Sequence, residues 1–123
     1  MSTHADLIDR YIACWNETET DRRHALIAET FTPEASYVDP LMRGDGHQGL
    51  DALVQGVQQR FPGFRFALTR PVETVQDHVR FSWSLGPGEG PTLIEGTDFA
   101  RVATDGRLAE IRGFLDRVPE GAA

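Results

Sequence analysis

Residues 37–49, YVDPLMRGDGHQG, admit two readings that lead to different folds. Gly44, Gly46 and Gly49 have the G-x-G-x-x-G spacing of a dinucleotide-binding loop, whereas the residues before them form a strand-like run that carries Asp39 and is stopped by Pro40. A dinucleotide loop needs its glycines directly between a buried parallel strand and a helix, in a βαβ unit with an acidic residue about 20 positions on. Here Leu41 to Arg43 intervene and the second half of the chain is a meander. GDGHQG is therefore read as a connector into a helix, with Gly49 near that helix's start, and the group of interest becomes the Asp39 carboxylate.

Upstream of this stretch the apolar residues recur at helical spacing. Thr3 and Asp6 have the spacing of a capping box in its Asp form, and Leu7, Ile8, Tyr11, Ile12 and Trp15 then mark a first helix with Tyr11 and Trp15 one turn apart. The polar NETETD segment ends it. Leu26, Ile27 and Phe31 mark a second helix before Thr32 and Pro33, and a short strand spans Ser36 to Asp39. Leu50, Leu53, Val54, Val57 and Phe61 predict a third helix, closed by Pro62 and Gly63. Beyond it the period changes to two, predicting antiparallel strands at 64–74, 78–85, 92–103 and 107–116. Turns are expected at Gln76-Asp77, in GPGEGP and at Asp105-Gly106.

Helices first and a meander after them indicate a single α+β domain over residues 1–118, an antiparallel sheet curling around three N-terminal helices, with a frayed tail at 119–123. The 123 residues include twelve arginines and no lysine, and the net charge is -7. With no concentrated basic run, this charge argues against nucleic-acid binding. Cys14 is alone and the four histidines have no zinc-ligand spacing, so neither disulfide nor metal is expected. The absence of an apolar signal core or membrane-length run predicts no membrane association and a cytoplasmic location.

Strand faces single out the carboxylates. Val79, Phe81, Trp83 and Leu85 share one face of their strand, and Ile94, Gly96, Asp98, Ala100 and Val102 share one face of the next. Asp98 is the charged residue on that apolar face. A buried carboxylate needs a partner or a proton, so Asp98 is either one half of an ion pair with an arginine or a member of a polar pocket. Asp39 shares a face with Ala35 and Tyr37, and either enters the same interior or simply ends its strand as Asp-Pro sequences do. Tyr11 is within reach of both. His47 is read as cavity mouth or exposed loop, and Phe81 and Trp83 as core or pocket wall.

RYIACWN, EASYVDP, GTDFARV and DGRLAEIRGFLD together resemble the ketosteroid isomerases, within the wider superfamily that shares the nuclear transport factor 2 (cystatin-like) fold. GHQGLDAL is similar to the SnoaL-like polyketide cyclases of that superfamily. The resemblance implies a cone-like curved sheet wrapped around the helices. It also implies a catalytic set: Asp39 as proton-shuttling base, with Tyr11, preceded by Arg10, and a protonated Asp98 as oxyanion donors. Trp15, Tyr37, His47, Phe81 and Trp83 are the expected pocket wall. The function so implied is a cofactor-independent isomerase moving a proton on a small apolar carbonyl ligand, steroid- or polyketide-like, in a homodimer. A non-catalytic small-ligand-binding or dimerisation domain of the same fold is the alternative.

Overall fold

The computed structural model describes residues 3–88 and 91–118, without the Thr3 side chain. The Thr3 half of the expected capping box, residues 89–90 of the GPGEGP turn and the 119–123 tail lie outside the described residues. Three helices, α1 (Thr3–Asn16), α2 (Thr20–Thr30) and α3 (Gly46–Arg60), pack on one side of a curved, unclosed sheet. The strands are β1 (Phe31–Val38), β2 (Arg43–Asp45), β3 (Phe64–Leu68), β4 (Glu73–Val75), β5 (His78–Pro87), β6 (Ile94–Val102) and β7 (Leu108–Arg117). Their order is β2-β1-β7-β6-β5-β3, with β4 also on β5.

The sheet is mixed, not purely antiparallel as expected: β1 runs parallel to β7 while every other pair is antiparallel. Period-two alternation fixes which side chains face inward but not the direction in which α3 hands the chain back to the sheet. Prolines account for two further departures. The single strand expected at 64–74 is two, β3 and β4, because Arg70-Pro71 interrupts pairing with β5. Strand β1 starts at Phe31, earlier than read, and absorbs Pro33 where its register on β7 shifts between Phe31 and Ser36. Helix α2 accordingly stops at Thr30. Helix α3 begins at Gly46, so GDGHQG is two residues of strand and four of helix rather than a loop.

The expected turns at Gln76-Asp77 and Asp105-Gly106 close β4–β5 and β6–β7, with Gln76 at φ 56 and Gly106 at φ 88. The inner face of β5 and β6 is buried as the alternation requires, and it packs with Leu7, Ile8, Tyr11, Cys14 and Trp15 of α1 into one core. Each such aliphatic or aromatic side chain contributes about 1.5–3 kcal/mol of burial free energy.

Polar side chains lock the helices over the sheet. The Asn16 amide donates to the Phe66 carbonyl at 2.9 Å and accepts from the Phe66 N–H at 2.8 Å, which satisfies the edge strand β3. Gln58 on α3 donates to the carbonyls of Trp15 and Glu17, and buried Arg23 donates to Asp51 across α2 and α3. No helix among the described residues is long and apolar enough to cross a membrane.

Candidate functional site

Sheet register brings two carboxylates to one place. Val38 pairs with Arg112 on one side of β7, and Asp98 pairs with Gly113 on the other. Asp39, one residue beyond Val38, therefore stands level with Gly113, and the two aspartates flank a glycine. A Cβ on Gly113 would lie 2.9 Å from Asp98 Oδ1 and 3.1 Å from Asp39 Cβ, so a larger residue there would push the pair apart.

Asp98 is 1% exposed, yet among the described residues no cation holds it. Tyr11 donates its phenol to Oδ2 at 3.0 Å, and the Trp83 indole N–H donates to Oδ1 at 3.1 Å. Gly96 makes the second bond possible. It is the register partner of Trp83, and a Cβ at Gly96 would come within 2.3 Å of the indole ring, which lies across the bare backbone to reach Asp98. Burial raises the Asp98 carboxyl to about 6; the Trp83 and Tyr11 bonds oppose this, while the charges of Asp39 and Asp116 add to it. Asp98 is thus unusually basic for a carboxyl, ionised above about pH 6 and a protonated donor below it. Burial first, then the nearby carboxylates, also hold the Tyr11 and Tyr37 phenols well above their usual range, so both stay neutral donors.

Asp39 is tied differently. Its Oδ1 accepts from the Leu41 and Met42 N–H groups at 2.8 and 2.9 Å, and its Oδ2 accepts from the Tyr37 phenol at 2.7 Å. The side chain organises the turn after β1, as an Asx turn does, and orients with the buried Tyr37.

These groups open into a cavity of about 310 Å³, within the small end of the range for ligand sites. Trp15 and Ile12 of α1, Leu53 and Val57 of α3, and Phe66, Leu85 and Leu115 of the sheet make its walls apolar. Leu41, Ala52, Gly56 and Arg60, all exposed, frame the mouth. Tyr11, Asp39, Asp98, Trp15, Tyr37 and Trp83 all line this space.

Two expected wall residues do not line it. His47 lies in the first turn of α3 with Nε2 2.9 Å from the Phe31 carbonyl oxygen, because the helix starts earlier than read and turns the ring toward β1. Phe81 is packed edge-on against Tyr11, centroids 5.1 Å apart, and supports the phenol from behind. Gly96 and Gly113 were missed as site residues. Gly96 needed the β5–β6 register that sets it opposite Trp83, and Gly113 needed the parallel β1–β7 pairing.

Elsewhere, burial pushes the Cys14 thiol up to about 11 beside Thr30, which leaves it unreactive. Among the described residues no group of three or more His, Cys, Asp or Glu side chains is placed to hold a metal ion.

Comparison with known proteins agrees with this fold. The family model for a SnoaL-like domain matches residues 8–111. A crystal structure from Agrobacterium tumefaciens, provisionally called an isomerase of the SnoaL-like family, is 38% identical with a TM-score of 0.89, covering 94% of this chain and 99% of its own. Two more distant structures share the fold. One, from Sinorhizobium meliloti and provisionally called a polyketide cyclase, is 17% identical over 88% of this chain and 93% of its own, with a TM-score of 0.69. The other, from Catenulispora acidiphila, has a ketosteroid isomerase-like fold and was solved with trimethylamine; it is 13% identical over 87% of this chain and 82% of its own, with a TM-score of 0.70. No curated protein matches the chain.

Proposed function

We propose, from the premise that this chain belongs to the SnoaL-like domain family, that it binds a small, flat, apolar carbonyl compound and moves a proton on it without a cofactor. The observation that carries this reading is the convergence of Asp39, Asp98, Tyr11 and Tyr37 on one apolar cavity. A proton shift next to a carbonyl needs a carboxylate near the carbon acid and a neutral donor near the oxygen where charge develops. Asp39 is the base in this scheme. It sits nearer the turn that carries the mouth residue Leu41, and the Tyr37 phenol keeps it oriented. Tyr11 is the donor, and Asp98 governs where its proton points.

The assay is conversion of a β,γ-unsaturated ketone to the conjugated isomer, followed by absorbance. Wild type is expected to convert it and Asp39→Asn to lose at least about a hundredfold in kcat. A wild-type rate no faster than buffer would remove the isomerase reading.

One observation favours a second, non-catalytic reading of the same cavity. All three buried donors that face it, Tyr11, Tyr37 and Trp83, are already engaged on the carboxylates, which is how a self-satisfied binding site would look. On that reading the ligand binds at micromolar levels and leaves unchanged.

A further inference from the structure

The donor and acceptor count inside the cavity is unequal, and the inequality selects a ligand. Tyr11 and Trp83 spend their protons on Asp98, and Tyr37 spends its proton on Asp39. Arg60 contributes N–H groups only at the exposed rim. What remains open in the interior is lone pairs. A carboxylate offers about four acceptor directions. Asp39 uses three of them on Leu41, Met42 and Tyr37, while Asp98 uses two.

A ligand carbonyl entering this space would have to take the Tyr11 proton away from a buried, ionised Asp98 and leave that carboxylate short of a partner. A ligand hydroxyl meets the opposite situation. It brings a proton to an oxygen that has room for one, and no existing bond is broken.

We infer that near neutral pH the cavity holds its ligand by a hydroxyl group, alcohol or enol, donating to Asp98, in preference to a carbonyl accepting from the site. This rests on the reading of the cavity as a small-molecule site and deepens it. The substrate class becomes hydroxyl- or enol-bearing apolar rings, and Tyr11 turns from Asp98 to the carbonyl oxygen only as negative charge develops there during the proton shift.

Protonation of Asp98 inverts the preference, because the neutral acid supplies the donor that a carbonyl lacks. The titratable groups that face Asp98 are Tyr11 on α1, Tyr37 and Asp39 at the end of β1, and Asp116 on β7. The phenols stay neutral throughout the relevant range, so the switch follows the carboxyl with its value of about 6.

The probes are 1-indanol and 1-indanone, which share a skeleton and differ in donor against acceptor. Their binding is measured by ligand-observed NMR at about pH 7.5 and about pH 5.5, staying above the isoelectric region of this acidic chain. The alcohol is expected to bind at least about threefold tighter at the higher pH. On acidification it should weaken several-fold while the ketone strengthens, since a group titrating near 6 loses most of its charge over that interval.

Asp98→Asn should abolish the pH dependence, and Asp39→Asn should leave it in place. A ketone preference at about pH 7.5, an alcohol affinity that holds or rises on acidification, or a pH dependence that disappears with Asp39 instead of Asp98 would each overturn the inference while leaving the cavity reading standing. If neither compound binds at either pH, the cavity reading falls and this one with it.

Discussion

Two buried polar clusters in this chain are solved in opposite ways. At the helix ends Arg23, 2% exposed, meets Asp51 with Nε to Oδ1 at 2.5 Å, and His24 and Gln55 complete the carboxylate. In the cavity Asp98, 1% exposed, meets a phenol and an indole. Burial acts upward on both carboxyls. For Asp51 the hydrogen bonds and charge of Arg23 and His24 more than reverse it, and the carboxyl ends below its usual value. For Asp98 the neutral donors reverse only part of it, and the carboxyl ends at about 6. A charge that serves only the fold is matched by an opposite charge; one left with neutral partners beside an open cavity remains available to a ligand.

The strongest way to break this comparison is to remove the cation from the first cluster. Arg23→Met leaves Asp51 with a mostly buried charge and no guanidinium, and should cost about 3 kcal/mol in urea unfolding. The cavity lining includes none of these side chains, so the folded fraction should still bind its probes. A loss below about 1 kcal/mol would mean that the ion pair is incidental.

Next in size is the support of the second cluster. Gly96→Ala places a methyl group 2.3 Å from the Trp83 ring, so the indole must move. The expected cost is about 2 kcal/mol, with the Trp83 bond to Asp98 broken. Losing one of the two donors that favour the ionised form should raise the Asp98 titration midpoint, seen by carboxyl-carbon NMR. An unchanged midpoint would show that the indole bond contributes nothing to the site.

Much of this arrangement was legible in the sequence because it depends on short-range periodicity. Alternation along 79–85 and 94–102 put Asp98 on the inner face, and the i, i+4 spacing put Tyr11 over it. What could not be read depended on pairing across long sequence distances. Gly113 matters only because β7 lies between β1 and β6, and Trp83 becomes a donor only because Gly96 is its register partner. Arg23 was a different kind of miss. With Ile27 and Thr30 it forms the buried face of α2 at i, i+4, i+7, but in a run as polar as TDRRH its charge reads as solvated surface.

Removing the second charge should do the reverse of removing the first cation. Because the Asp98 carboxyl lies above its unfolded value of 3.8, the folded state binds more protons between that value and about 6, and stability falls as pH rises through the interval. Asp98→Asn removes a penalty whose upper limit is about 3 kcal/mol, and an imperfectly matched amide gives part of it back. The net expectation is a gain of about 1 kcal/mol at about pH 7.5 that shrinks toward pH 4. A variant less stable than wild type at about pH 7.5 would mean that the ionised carboxylate is a net contributor to the fold.

The smallest expected effect on folding lies on the other face of the same strands. Phe99 and Phe114, 44% and 55% exposed, form an edge-on pair at 5.7 Å on the outer face of β6 and β7. We propose that a second copy of the chain covers them in a two-fold dimer. Charge complementarity supports this occupant. Arg70 and Asp116 line one shallow concavity with the aromatic pair, and Arg80 beside them is already bound to Glu73, so this face offers charge of both signs to a facing copy of itself. Phe114→Ser should therefore change monomer stability by no more than about 0.5 kcal/mol, since the ring is half exposed, yet shift the mass seen by light scattering from dimer to monomer. Wild type that scatters as a monomer at high micromolar concentration would sink the dimer. A Phe114→Ser protein that is a dimer with wild-type affinity would place the interface elsewhere on the molecule.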